Sequence, residues 1–261
     1  MTLSNQDRDE LRYAKRLLER PSLAARVTNL IGAPIEKGFE LLPQRWSEVV
    51  TGATRVALQK ALDVAVATMP DDGRGPSGSR SHQWLAAVSG AGGGALGLAA
   101  LPIELPISTA VMLRAIADIA RSEGEDVHSL EAKLACMEVF ALGGRSLSDD
   151  AAETGYFAVR AVLARSVSEA VQYIAERGLV EEGAPAIVRL IAQIAARFGA
   201  VVSEKAAAQA IPVLGAAGGA LVNLVFVRHF QDMARGHFIV RRLERTHGAE
   251  LVRTEYEGLT A

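Results

Sequence analysis

Two stretches of this chain run for roughly twenty residues without a charge, long enough to cross the core of a bilayer. They are Trp84 to Ile103 (WLAAVSGAGGGALGLAALPI) and Ala206 to Val227 (AAAQAIPVLGAAGGALVNLVFV). Both are built on glycine and alanine. Gly90 and Gly94 lie four apart, as do Gly93 and Gly97, and Gly215 and Gly219. On a helix that spacing makes a flat stripe against which a second backbone can pack closely. In water each such glycine costs a helix about 1 kcal/mol relative to alanine. Something must offset that cost, either tight packing inside a helical core or a membrane. The runs also resemble each other, GAGGGAL at 90–96 against GAAGGAL at 215–221, and read as a two-fold internal repeat. Pro102, Pro106 and Pro212 are expected to break or kink any span, which suits a re-entrant or interfacial segment better than a straight helix.

The remaining segments read as helices. A polar first helix carries Ser4 or Asn5 as its N-cap and is stopped by Pro21. Two short helical pieces fall between Ser22 and Leu42, broken at Gly32-Ala33-Pro34. Longer helices are expected over 44–68, 105–122, 129–142, 149–177, 184–209 and 223–247. Alternating β-branched runs are absent, so no strand is expected. Residues 70–81 (PDDGRGPSGSRS) have the composition of a linker, and no Gly-Lys-Ser/Thr follows to make them a phosphate loop. The fold expected is therefore all-α, with two glycine-rich helical units. It divides into an N-terminal helical accessory region (1–69), a linker (70–81), a helical core (82–248) and a C-terminal tail (249–261).

Composition narrows the function. Of 261 residues, 49% are hydrophobic and 22% charged, enough to bury a sizeable core. The net charge of −2 lacks the basic footprint of a nucleic-acid binder. The single cysteine, Cys136, excludes an internal disulfide and a multi-cysteine zinc site. It sits among Met137, Val139 and Phe140 and reads as core rather than nucleophile. Residues 1–19 are too charged for a signal peptide, and no lipidation signal is visible, so a cytoplasmic location is expected.

Several motifs together resemble the EcsC family. They are LPIELPIST (101–109), Met112-Leu113-Arg114, IARSEGED (119–126), VFALGG (139–144) and PIE (34–36). The C-terminal part adds Gly215 to Gly219, Asn223, Phe226, His229-Phe230, ARGHF (234–238) and RRLER (241–245). The resemblance covers most of the chain. It implies a bacterial, mostly helical, membrane-proximal protein. The family takes its name from the third gene of an operon that encodes an ABC transporter, and the resemblance supplies no catalytic mechanism to carry over.

Polar residues inside the apolar helices mark the candidate site. Asn223, Phe230, His237 and Glu244 recur every seven residues along the last long helix, with Arg241 on the same side. Glu104 lies between two prolines in an apolar run, where a carboxylate needs a partner. The expectation is that Glu104 meets His237 or Arg241, as a structural pair, or as the acid–base residues of a hydrolase-type enzyme. A metal site drawn from Glu104, Asp118, His229 and His237 is disfavoured, because His229 and His237 point about 80° apart on a helix and no HExxH occurs. No cofactor is implied. Arg228, Arg235, Arg241, Arg242 and Arg245 read either as a solvated face paired with Asp232 and Glu244, or as a basic patch for anionic lipid.

The leading expectation is a non-enzymatic protein at the cytoplasmic face of the membrane, peripheral or re-entrant. It would bind lipid or a membrane protein such as an ABC transporter, with a homo-oligomer as a further partner class. Its contacts would be Gly90, Gly94, Gly97, Gly215, Gly219, Arg241, Arg242 and Arg245. The alternatives are the hydrolase-type enzyme using Glu104 and His237, and a soluble helical interaction module with its apolar stretches buried.

Overall fold

The computed structural model describes residues 3–19, 23–31, 34–67, 100–144, 155–177, 183–211 and 215–259. These form ten helices, with no strand among the described residues. In chain order they are α1 (Asn5–Leu18), α2 (Leu23–Ile31), α3 (Glu36–Glu40), α4 (Trp46–Ala67), α5 (Leu101–Ser122), α6 (Leu130–Leu142), α7 (Tyr156–Arg177), α8 (Pro185–Ala210), α9 (Gly215–His247) and α10 (Ala249–Gly258). The linker and the first glycine-rich stretch up to Ala99, including Gly90, Gly94 and Gly97, lie outside the described residues, as does Pro212.

Local chemistry sets the helix ends. Ser4 Oγ accepts from the Asp7 N–H at 3.1 Å, and Ser129 Oγ accepts from the Ala132 N–H at 3.2 Å, the two side-chain N-caps of α1 and α6. After α5, Gly124 takes φ +79°. The Gly124 N–H then reaches the Arg121 carbonyl and the Glu125 N–H the Ala120 carbonyl. This turn aims Glu125 back at α9. Gly248, at φ +90°, makes the corner between α9 and α10.

The prolines of α5 do not break it. Pro102 sits in the first turn, where an N–H has no intrahelical partner to lose. Pro106 lies inside a continuous helix and is buried, so packing offsets the one missing hydrogen bond. The second charge-free stretch is not one element either. It divides between the end of α8 and the start of α9, whose first turn is the run from Gly215. The glycines therefore lead a helix of 33 residues.

That long helix organises the core. Phe226 and Phe230 of α9 meet Phe140 of α6 and Phe198 of α8, with ring centroids 5.0 to 6.1 Å apart. The same core includes Leu23 and Val27 of α2, and Val50 to Ala65 of α4. The first 69 residues thus supply part of the central core. The segment read as a tail forms α10. It packs Val252 and Tyr256 with Leu3 and Leu11 near α1, and with Tyr156, Ile239 and Leu243. Lys15 of α1 donates to the carbonyls of Tyr256 and Leu259 at the end of α10, at 2.9 and 2.7 Å. Among the described residues one helix, α8, is long and apolar enough to cross a membrane, and it lays Ile187, Leu190, Ile194 and Phe198 into the core.

Candidate functional site

Polar clusters lie at both ends of α9, with His229 and the Arg26–Asp232 pair between them. Helices α5 and α9 run in the same direction. At their C-terminal ends Arg241 and Arg245 bond Glu125, and Arg242 bonds Glu123. At their N-terminal ends Lys205 of α8 touches both Glu104 and the Phe226 ring.

At the N-terminal end the Glu104 carboxylate accepts from the Lys205 ammonium at 2.9 and 2.8 Å. Lys205 is fully buried, and its ammonium lies 4.6 Å from the Phe226 ring centroid. Burial pulls the Lys205 pKa below its usual value, while Glu104 acts against that pull. On the α5 and α9 side of this pair the surface is apolar, whereas α3, packed at Gly38 against Ala207 of α8, carries the exposed charges Glu36, Lys37 and Glu40. Ile103 is 72% and Ile107 52% exposed. Leu221 of α9 is exposed as well, and Val225 is half-buried. The first charge on the outer stripe of α5 is Arg114, and on that of α9 it is Arg228. Each lies thirteen residues past the start of its helix, at Leu101 and Gly215. Gly219 is buried in the second turn of α9.

The other end holds a cleft of about 490 Å³ between α7 and the α9–α10 corner. Glu138 of α6 lies at its base. Phe157, Arg160, Ala161, Ala164 and Val167 of α7 line it, with Arg241 and Glu244 of α9 and Glu250 and Arg253 of α10. Arg160 is bound by both oxygens of Glu244, at 2.7 and 3.0 Å. Arg241 is bound by Glu125, at 2.7 and 3.3 Å. Glu138 is 7% exposed, and no hydrogen bond reaches its carboxyl among the described residues. Burial raises its pKa to about 7, against the opposing pull of Arg160 and Arg241. Behind it lies His237, fully buried. Its Nδ1 is 2.9 Å from the Tyr156 hydroxyl, and its Nε2, with no hydrogen-bond partner, faces Glu138 Oε2 at 3.9 Å. Burial, helped by the positive charges of Arg160 and Arg241, holds the imidazole well below its usual pKa, so it is neutral. The tautomer that accepts from Tyr156 at Nδ1 presents the Nε2 proton to the carboxyl.

Glu104 therefore meets neither His237 nor Arg241, contrary to the sequence expectation. Because α5 and α9 are parallel, Glu104 lies level with Phe226, and His237 is eleven residues further on, about 16 Å along the axis. The arginine partners differ too. Asp232 bonds Arg26 and Glu244 bonds Arg160, while Arg242 binds both Glu123 and Glu10. His229 contacts the Gly143 carbonyl at 2.8 Å. No three His, Cys, Asp or Glu side chains gather as a metal site among the described residues. Cys136 is buried, and its thiol is pushed up by desolvation.

Sequence reasoning missed Lys205, Glu138, Tyr156 and Arg160. Glu138 had a legible signal, as the sole charge in the apolar run Leu134 to Leu142. Lys205 stands one residue before the charge-free stretch and was hidden by where that stretch begins. The pairing of Tyr156 and Arg160 with α9 needs tertiary structure.

The model of the EcsC protein family matches residues 5–243. No curated protein and no solved structure matches the chain.

Proposed function

The chain belongs to the EcsC family, and from that premise we propose that it is a non-enzymatic protein seated at the cytoplasmic face of a membrane. The apolar end of α5 and α9 enters lipid. One observation carries this reading. Two parallel helices keep their exposed stripes free of charge for thirteen residues, and both then turn to arginine, at Arg114 and Arg228. Thirteen residues of helix measure about 20 Å. A hydrocarbon core is about 30 Å thick, so such an end enters one leaflet and does not cross both. Arginine at that depth suits the head-group level, where a long side chain lies along apolar surface and keeps its charge in water. The stretch Trp84 to Ile103 carries no charge and runs directly into exposed Ile103, which favours lipid as the occupant of this end.

Arg241, Arg242 and Arg245 have no part in this seating, because Glu125, Glu123 and Glu10 hold them in ion pairs at the other end. The charge pair Glu104–Lys205 is buried and internally neutral, and it joins α5 to α8.

Flotation with vesicles of phosphatidylcholine and phosphatidylglycerol tests the proposal. Wild type floats with lipid, and Ile103→Glu/Ile107→Glu remains at the bottom at an unchanged thermal midpoint. Arg114→Glu/Arg228→Glu loses binding mainly at low salt. Equal flotation of the isoleucine variant contradicts the reading. A lipid-free dimer broken by the same change would assign this face to a second copy instead.

A further inference from the structure

The cleft at the opposite end is independent of lipid seating, about 30 Å along α9 from Leu221. We propose that it binds a small organic ammonium ion, a soluble amine with a short apolar body, using the Glu138 carboxylate as the counter-ion.

The chemistry of the lining selects a cation. Every guanidinium in the wall is already held by a carboxylate: Arg160 by Glu244, Arg241 by Glu125, and Arg253 by Glu257. An incoming anion would have to displace one of these. The unfilled groups of the lining are acceptors, and the unfilled Nε2 proton of His237 lies behind Glu138, outside the lining. Among the described residues Glu138 accepts no hydrogen bond although it is more than nine-tenths buried, and the Glu250 side chain at the rim accepts none either. A buried carboxylate without a donor is costly, and an ammonium with two or three N–H groups removes that cost. The Phe157 ring in the lining is already covered by the Arg160 and Arg253 guanidiniums at 5.7 and 5.8 Å, and Ala161, Ala164 and Val167 give an apolar wall for a short chain. A volume of about 490 Å³ lies within the roughly 300–1,000 Å³ of small-molecule sites.

The charges around Glu138 are balanced. From α9 it faces His237, Arg241 and Glu244. From α7 it faces Tyr156 and Arg160, and from α10 Glu250 and Arg253. Beyond Arg241 lie Glu125 and Arg245. His237 is neutral and offers only its Nε2 proton, so the carboxyl is the group that titrates near neutrality. An ammonium binds the ionised form. Affinity therefore rises as pH passes through about 7 and levels above it.

Calorimetric titration with hexylammonium tests this, with hexanol and hexanoate as uncharged and anionic counterparts. The expected result is binding of hexylammonium alone, roughly tenfold tighter at pH 8 than at pH 6. Glu138→Gln should lose about tenfold or more at pH 8 and flatten the pH dependence. Ala164→Trp, at an exposed wall position, should abolish binding with Glu138 intact and the fold unchanged by circular dichroism. Several outcomes overturn the proposal. They are no binding of hexylammonium to wild type, equal binding to Glu138→Gln, hexanoate binding in its place, or undiminished binding to Ala164→Trp.

Discussion

Lys205→Met leaves the Glu104 carboxylate buried without its partner. Breaking one side of a buried pair costs about 3–5 kcal/mol, whereas replacing both members by apolar residues can be near neutral. Urea unfolding should therefore show a large loss for Lys205→Met and substantial recovery in Glu104→Leu/Lys205→Met. Glu138 makes a different prediction. Its carboxyl keeps a proton to about pH 7 in the fold, against 4.5 for its ordinary value. A raised carboxyl contributes stability that is full at low pH and is lost as pH rises from 4.5 to 7. His229, pulled down to about 4 by burial, acts oppositely, because its contribution is present above 6.5 and lost as pH falls. The difference between Glu138→Gln and wild type isolates the carboxyl. The variant's advantage should grow by about 2 kcal/mol from pH 5 to pH 8. An advantage equal at both would contradict the raised pKa.

At the scale of elements, much was legible because helices announce their ends. Ser4, Ser129, Gly124 and Gly248 mark boundaries that caps and left-handed glycines set locally. Extents were harder. Helix α9 begins at Gly215, eight residues before the expected Asn223, so its glycine-rich first turns are helical against their intrinsic propensity. Helix α5 passes through Pro106 because that proline is buried in the packing of a continuous helix. Pairing between helices was not legible. Period-seven spacing placed His237 and Glu244 on one face of α9, but only the parallel course of α5 and α9 decides that Glu104 lies elsewhere. The packing of α1 on α9 shows the same dependence. A Cβ at Gly236 would lie 2.7 Å from Leu18 Cγ and 3.0 Å from the Ala14 carbonyl oxygen. Gly236→Val should cost about 1–3 kcal/mol. Limited proteolysis should then cut within α1 earlier than in wild type, and an unchanged cleavage pattern would contradict so close a crossing.

For the whole molecule, the long helix α9 separates two chemistries. Its first thirteen residues share an apolar end with α5, and its last turns bring arginines and carboxylates against α6, α7 and α10. The sequence showed the charge-free character of the first end directly. It could not show that Arg241, Arg242 and Arg245 are spent on carboxylates of α1 and the α5–α6 turn, because those partners lie more than a hundred residues away. The direct test is to place one reporter in the apolar end. Ile103→Cys takes a polarity-sensitive fluorophore, while native Cys136 is fully buried with a thiol pushed up and stays unlabelled. Val162→Cys, on the 60% exposed position of α7, is the control. With phosphatidylglycerol-containing vesicles the account predicts a blue shift at position 103 and none at position 162. No shift at 103, or equal shifts at both, would contradict the seating of this end in lipid.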